Sequence, residues 1–468
     1  MSCVSPISCE LQASREAELR TDVLVVGGGL GGLVTALELR RYGYETKIVY
    51  TGRLGGHHVL GSAPRFAEDV DVASIVAKAK ELDAMEGFFD GLFVYSGNTR
   101  YSVNYKHLIL ATGGVDVPIT FPSSAKAPQK PAEEVLQSPP RDLKIAVWGS
   151  TEWGLRTALT LRGLGNEVVL LDNSAYLRDT KYYEKIKSKI DFPITTSVII
   201  KEFEKGVLTY EVVTGKKQNE IRQERVDLIV SSVRMVNPYV AMKLGLRVFY
   251  SFELNSLIPR RANTGELLML DSTGRAVGGG DVYATGHLYG AVRENHVVQQ
   301  AKLLAKYIAS KDGHESPDAV KNELDKFLVT LTVEANWLYN LGNRLEKGTD
   351  GTGRYVEPNV IDVPHWASFW PQLEEIEDMV ICPCDDATIG KVSTEIKRLN
   401  RLKEVKVKIT HEETDLLRQL KLPQLNFKGL CAESVCVPYA AIILGAALAQ
   451  KPSYFLYGKP QMLYGEIS

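Results

Sequence analysis

The chain has 468 residues, which at roughly 150 residues per domain is too long for one ordinary core and reads as about three domains. Lys+Arg 55 against Asp+Glu 57 leave a formal net charge of −2, so no global field draws the protein onto nucleic acid or anionic lipid, and small molecules and protein partners are expected instead. The first twenty residues are polar and charged and lack the apolar core of ~7–15 residues of a secretory signal. The most apolar stretch, residues 435–449, contains Pro438 and Gly445 and falls short of the ~20 residues of a membrane span. A cytoplasmic protein without a membrane span is expected, and its six cysteines point to metal or redox use rather than to a disulfide framework.

The first predicted element is an apolar run at residues 23–26, followed by Gly27-x-Gly29-x-x-Gly32. Leu30, Leu33, Val34 and Leu37 then recur at helical spacing, and Gly43 stands where a left-handed helix cap belongs. A strand follows at residues 46–50. In a strand–turn–helix context the first glycine permits the tight turn, the second lets a diphosphate approach the backbone, and the third lets helix pack on strand. The anion would rest on unpaired N–H groups of the helix start. Gly31 lies in the same turn and is a further candidate contact. The second strand ends in Tyr50-Thr51, where such sites carry an acidic residue for the adenosine ribose.

The same grammar recurs further on. With a shift of 122 positions, residues 27–50 lie over residues 149–172 with ten of 24 positions identical, among them Gly27/Gly149, Gly32/Gly154 and Gly43/Gly165. Two βαβ units of a doubly wound fold are therefore expected. In the second copy Thr151 replaces the central glycine, and the second strand ends in Asp172, a residue type that accepts a ribose 2′-hydroxyl and repels a 2′-phosphate. A dinucleotide bound there would be NAD rather than NADP. Residues 120–140 are rich in Pro, Ser and Ala and read as a surface linker. Small residues followed by a helical pattern return at residues 282–308 and are expected to complete the first unit. Residues 342–364 are turn-rich and mark a further boundary.

Four of the cysteines form two close pairs, Cys382-Pro-Cys384 and Cys431-Ala-Glu-Ser-Val-Cys436. Each pair can chelate, and four thiolates suit either a tetrahedral zinc or a [2Fe–2S] cluster. Cys3 and Cys9 are expected to be incidental.

Two glycine-turn units in this order, with HLILATGG at residues 107–114 and VYATGH at residues 282–287, resemble the two-dinucleotide-binding-domain flavoproteins. The resemblance implies that Ala111-Thr112-Gly113 lies where the chain leaves the FAD domain. It also implies that Gly286 and position 287 face the flavin's ribityl–phosphate region. This chain has His287 where the family has Asp, so the first site is left to FAD, ATP or NAD. Gly55-Gly56-His57-His58 falls where the family approaches the isoalloxazine and is expected here to be a surface loop. No cysteine occurs between Cys9 and Cys382, which argues against the redox pair of the family's disulfide reductases.

The cysteine spacing, with Gly429 before Cys431 and Pro438 after Cys436, resembles the bacterioferritin-associated-ferredoxin-like [2Fe–2S] domain. Together the resemblances imply an α/β protein with two Rossmann-like units, the second inserted in the first, plus a small, mainly helical C-terminal iron–sulfur domain. The expected boundaries are a tail at 1–20, the first unit at 21–122 and 236–330, the second at 141–235, a linker at 331–375 and the four-cysteine domain at 376–468. The combination looks like the α subunits of heteromeric sarcosine oxidase, dye-linked proline or hydroxyproline dehydrogenase and hydrogen cyanide synthase. The implied activity is electron transfer in an amino-acid or imino-acid dehydrogenase, with a flavoprotein β-type subunit and a small ferredoxin-like subunit as partners. FMN at a subunit interface and NAD in the second unit are implied cofactors. A stand-alone FAD-dependent NADH:acceptor oxidoreductase and a scaffold holding ATP or NAD are the alternatives. An exposed apolar patch on the open side of the first unit is expected as the docking surface.

Overall fold

The computed structural model describes residues 14–327, apart from 117–118, 120, 122–123, 174–176, 213–219, 237–239, 242–243, 245–248, 252–255, 259–280 and 292, together with 380–382 and 387–388. In chain order the first unit runs β1 (Arg15–Val26), α1 (Leu30–Arg41), β2 (Thr46–Tyr50), α2 (Val72–Ala79), β3 (Asp83–Glu86), β4 (Phe88–Phe89), β5 (Phe93–Ser96), β6 (Thr99–Leu110) and β7 (Gly114–Asp116). The second runs β8 (Gln129–Pro131), α3 (Ala132–Val135), β9 (Lys144–Trp148), α4 (Glu152–Gly163), β10 (Glu167–Leu171), α5 (Thr180–Ile186), β11 (Ile194–Thr195), β12 (Val198–Glu204), β13 (Val207–Val212), β14 (Glu220–Arg225) and β15 (Leu228–Ser231). The chain then returns through β16 (Arg234–Val236), β17 (Phe249–Ser251), β18 (Ser256–Ile258), β19 (Asp281–Ala284), α6 (Glu294–Lys311) and a helix at 317–327. A strand pair, β20 (Val380–Cys382) and β21 (Ala387–Thr388), stands apart.

Val23, Leu24, Val25 and Val26 are all buried because β1 is covered on both faces, which is why this run is apolar without alternation. β1 pairs in parallel with β2 on one side and along its whole length with β6 on the other. The outer edge of β6 is shared: residues 99–102 pair antiparallel with β5, and residues 107–110 pair in parallel with β19. The chain therefore leaves the first sheet after β6 and completes it with β19. The α6 helix lays Val297, Ala301, Leu304, Ala305 and Ile308 into the same core as Leu30, Leu33 and Val34 of α1.

The second sheet has the order β11-β10-β9-β15-β8, all pairs parallel. The antiparallel meander β12-β13-β14 packs Val198, Ile200, Leu208 and Tyr210 against its Ala146, Leu171 and Ile229. The two chain crossings between units pair with each other, β7 antiparallel to β16. Gly43 at φ +91° and Gly165 at φ +93° close α1 and α4 in the left-handed conformation, as the repeat predicts.

Two expectations need correction. The stretch read as a linker over residues 120–140 is in part structural: β8 is the edge strand of the second sheet, and Ala132 and Val135 sit in its core. The tail over residues 1–20 likewise ends early, since residues 15–20 of β1 pair with residues 99–104.

Candidate functional site

The first glycine turn is shaped by close approach. Gly27 has φ +119°, and a Cβ there would lie 2.1 Å from the Ala111 carbonyl oxygen; a Cβ on Gly32 would lie 2.2 Å from the Gly27 oxygen. Gly29 is the opposite case, with nothing within 4 Å of a built Cβ. It caps α1 without any side-chain hydrogen bond, and the first turn holds no acidic residue. The side-chain position of Gly29 thus faces open space at the start of α1, where a diphosphate approaches in such turns. Of the four glycines, Gly29 opens on free space, while Gly27, Gly31 and Gly32 lie against backbone and give the turn its shape. The ribose side is different, because Tyr50 lies with its Cβ against Gly28 where a carboxylate would reach sugar hydroxyls.

Ala111, Thr112 and Gly113 directly follow β6, and Ala111 N–H donates to Val26 O at 2.7 Å. From the other side Gly286, at φ +67°, brings a short turn up to α1. A buried side chain that sequence reading missed holds this turn: Gln300 Oε1 accepts from Thr285 Oγ1 at 2.6 Å and from Gly286 N at 3.0 Å, while its Nε2 donates to Ala284 O at 3.2 Å. A polar residue inside the apolar stripe of α6 was the available signal.

His287 is half-buried, and its Nε2 is shut off from solvent without a hydrogen-bond partner among the described residues. Burial, then the charge of Arg234 and the neighbouring His58, pushes its pKa down to about 3, so the ring is neutral. His107, four residues before Ala111, lies beside Asp312 and Asp281.

The Gly55-Gly56-His57-His58 loop is not a surface loop. Gly55 N–H donates to Gly28 O at 2.7 Å, which pins the loop to the glycine turn. The His57 and His58 rings lie 3.9 Å apart, and Trp153 of α4 meets His57 edge-on at 5.2 Å. Burial drives both imidazoles toward the neutral form. His58 Nδ1 is 3.4 Å from Glu294, which also faces Arg156 at 3.5 Å, and Arg156 donates to Leu60 O at 3.2 Å. Burial alone would raise the Glu294 pKa, but the His58 contact and the Arg156 charge outweigh it and hold the carboxylate low. Glu152 accepts from Phe66 N at 3.0 Å, and burial followed by the charge of Glu294 pushes its pKa up. The loop continues onto the second unit, where Thr160 Oγ1 accepts from Ser62 N and Ala63 N at 3.2 and 3.3 Å, and Tyr182 donates to Pro64 O.

In the second unit Gly149 (φ +109°) and Gly154 keep the tight βα turn, with Ser232 packed against both. Thr151 caps α4, its hydroxyl accepting from Gly154 N. Asp172 is buried at 1% exposure and bonded to Ser150 and Arg178.

Among the described residues no group of three or more His, Cys, Asp or Glu side chains could hold a metal. Of the predicted cluster ligands, Cys382 ends β20, while Cys384, Cys431 and Cys436 lie outside the described residues. The exposed large hydrophobics among the described residues are Val59, Leu92 and Ile221. No helix of the described residues is long and apolar enough to cross a membrane.

Residues 21–248 match the family model described as pyridine nucleotide-disulphide oxidoreductase. Among solved structures, L-proline dehydrogenase from P. horikoshii is similar over 94% of this chain and 77% of its own, with 19% identity and a TM-score of 0.58. Thioredoxin reductase from T. acidophilum is similar over 68% of this chain and 99% of its own, at 15% identity and a TM-score of 0.44. No curated protein sequence matches. The fold is a mixed α/β one with Rossmann-like units, consistent with that of the pyridine nucleotide-disulphide oxidoreductases.

Proposed function

We propose that this chain is the nucleotide-binding, electron-transfer subunit of a heteromeric flavin-dependent dehydrogenase acting on an amino acid or imino acid of the proline, hydroxyproline or sarcosine type. The observation that carries the reading is the open position at Gly29 in a chain with no cysteine between Cys9 and Cys382. The first supports a bound nucleotide; the second removes the thiol pair that disulfide reduction needs. The fold likeness to an L-proline dehydrogenase along 94% of the chain supports the substrate class.

Gly27, Gly29, Gly31, Gly32 and Gly286 would hold the nucleotide, and Cys382, Cys384, Cys431 and Cys436 would hold a [2Fe–2S] cluster. A flavin would supply two-electron chemistry and a cluster held by these cysteines would supply one-electron transfer. The chain's own residues cradle the diphosphate on the α1 N–H groups, and the neutral His57, His58 and His287 place no proton charge beside it. A flavoprotein β-type subunit carries the amine site, and a small ferredoxin-like subunit and interfacial FMN complete the relay.

A second reading, a scaffold subunit holding ATP or NAD structurally, is favoured by Tyr50 and His287, which stand where a flavin-binding member would have acidic residues. Both are tested by denaturing the purified chain and identifying what it releases. FAD supports the redox role, ATP or NAD the scaffold role, and release of no nucleotide overturns both.

A further inference from the structure

We propose that the second Rossmann unit is closed to nicotinamide nucleotides, so that of the two Rossmann units the first alone holds a nucleotide. The inference does not depend on which dehydrogenase the chain serves. NAD recognition of this kind needs a bare glycine turn and a carboxylate, at the end of the second strand, with lone pairs free for ribose hydroxyls. The second unit has neither.

The carboxylate is already occupied. Asp172 Oδ2 accepts from Ser150 N at 2.6 Å and from Ser150 Oγ at 2.7 Å, and Arg178 Nε lies 3.0 Å from both carboxylate oxygens. A sugar hydroxyl would have to displace a charge-assisted pair around a group that is 1% exposed. An arginine beyond the second strand could in principle serve a 2′-phosphate, but this one is turned inward onto Asp172, so NADPH meets the same obstacle as NADH.

The turn is engaged as well. Arg178 N donates to Ser150 Oγ at 2.9 Å and Asp179 N to Ser150 O at 3.2 Å, which ties residues 178 and 179 to the glycine turn. Asp179 is in turn held by Arg293 of the first unit at 3.2 Å. Thr151 adds a side chain at the position equivalent to Gly29, and its hydroxyl takes the Gly154 N–H that an anion would use. The unit has instead become a clamp: α4 and α5 grip residues 60–66 through Arg156, Thr160 and Tyr182, and so fix the loop that carries His57 and His58.

The test is NADH and NADPH binding, followed by cofactor fluorescence and calorimetry, on the full chain carrying Gly29→Val. That substitution fills the first cradle without a clash, because nothing lies within 4 Å of the position, and an unchanged melting curve verifies the fold. The expected result is no saturable binding of either nucleotide up to about 1 mM. Binding at one per chain by Gly29→Val would place a nucleotide in the second unit and overturn the proposal, while leaving the first-unit reading intact. Arg178→Ala added to Gly29→Val exposes Asp172, so the pair gaining at least tenfold in NADH affinity over Gly29→Val alone supports the latch; unchanged affinity overturns its role.

Discussion

Gly31 and Gly286 touch backbone to backbone: a Cβ on Gly31 would stand 3.0 Å from Gly286 Cα and 3.1 Å from its nitrogen. Two chain segments that enter the first unit separately are thus brought together at the start of α1, and only hydrogen at position 31 allows it. Gly31→Val is expected to push the Gly286 turn away from α1, destabilising the chain by about 1–3 kcal/mol and loosening the nucleotide. Thermal melting together with nucleotide content after desalting checks this; a variant that melts with wild type and keeps its nucleotide contradicts it.

Gly29 and Gly32 lie in one turn and should behave differently. Gly29→Val leaves the fold intact and strips the bound nucleotide, since its side chain enters only the space of the diphosphate. Gly32→Ala meets the Gly27 carbonyl oxygen at 2.2 Å and damages the fold itself. Comparison of soluble yield with nucleotide content separates the two outcomes.

The contrast between these positions also marks how far the sequence could be read. The repeat of Gly27–Gly32 over Gly149–Gly154 carried both βα turns and both helix caps, because tight backbone geometry leaves a residue signature. It did not carry Gln300, Arg178 or the Glu152–Arg156–Glu294–His58 chain, because a buried polar side chain is chosen by neighbours distant in sequence. Asp172 illustrates the limit: its residue type and position suit a ribose, and its partners Ser150 and Arg178, visible only in three dimensions, show that the carboxylate is engaged. Residues 129–135 read as a linker because a three-residue edge strand containing Pro131 has no periodicity to detect.

The buried carboxylates between the units should set the pH dependence of stability. Glu152 is pushed up from 4.5 to about 8 by burial and then by Glu294. An acid that holds its proton more tightly in the folded state stabilises the fold fully below its unfolded value, and that contribution is lost as pH rises through the folded value. Glu294 is shifted the other way, so its contribution is present above the ordinary carboxylate range and lost as pH falls toward its lowered value. Glu152→Gln, whose amide oxygen can still accept from Phe66 N, is expected to flatten melting temperature between pH 5 and about 8. A slope equal to that of wild type over this window would show that Glu152 does not titrate there.

The neutral His287 replaces the Asp of the flavoprotein pattern. His287→Asp is expected to raise the share of chains that retain FAD after gel filtration by severalfold, read from flavin absorbance. No gain in flavin would favour the scaffold reading.

The last prediction joins the cysteines to the partner. Four thiols in two close pairs, Cys382/Cys384 and Cys431/Cys436, suit a centre that passes single electrons, and such a centre is useful only between other redox groups. Purified without oxygen, the chain is expected to hold about two irons and two sulfides, with Cys384→Ser abolishing both while leaving the nucleotide bound, because that nucleotide rests on the α1 turn. Zinc at one per chain, without visible absorption, would refute the cluster. In the proposed assembly the amine site belongs to the flavoprotein β-type subunit. The chain alone is therefore expected not to oxidise proline, hydroxyproline or sarcosine, and dye reduction should appear when a flavoprotein β-type subunit is added. In that complex Cys384→Ser should slow reduction of the external acceptor by at least tenfold while the partner flavin is still reduced by the amine. Robust amino-acid turnover by the isolated, homogeneous chain would make it a self-contained enzyme and defeat the subunit reading.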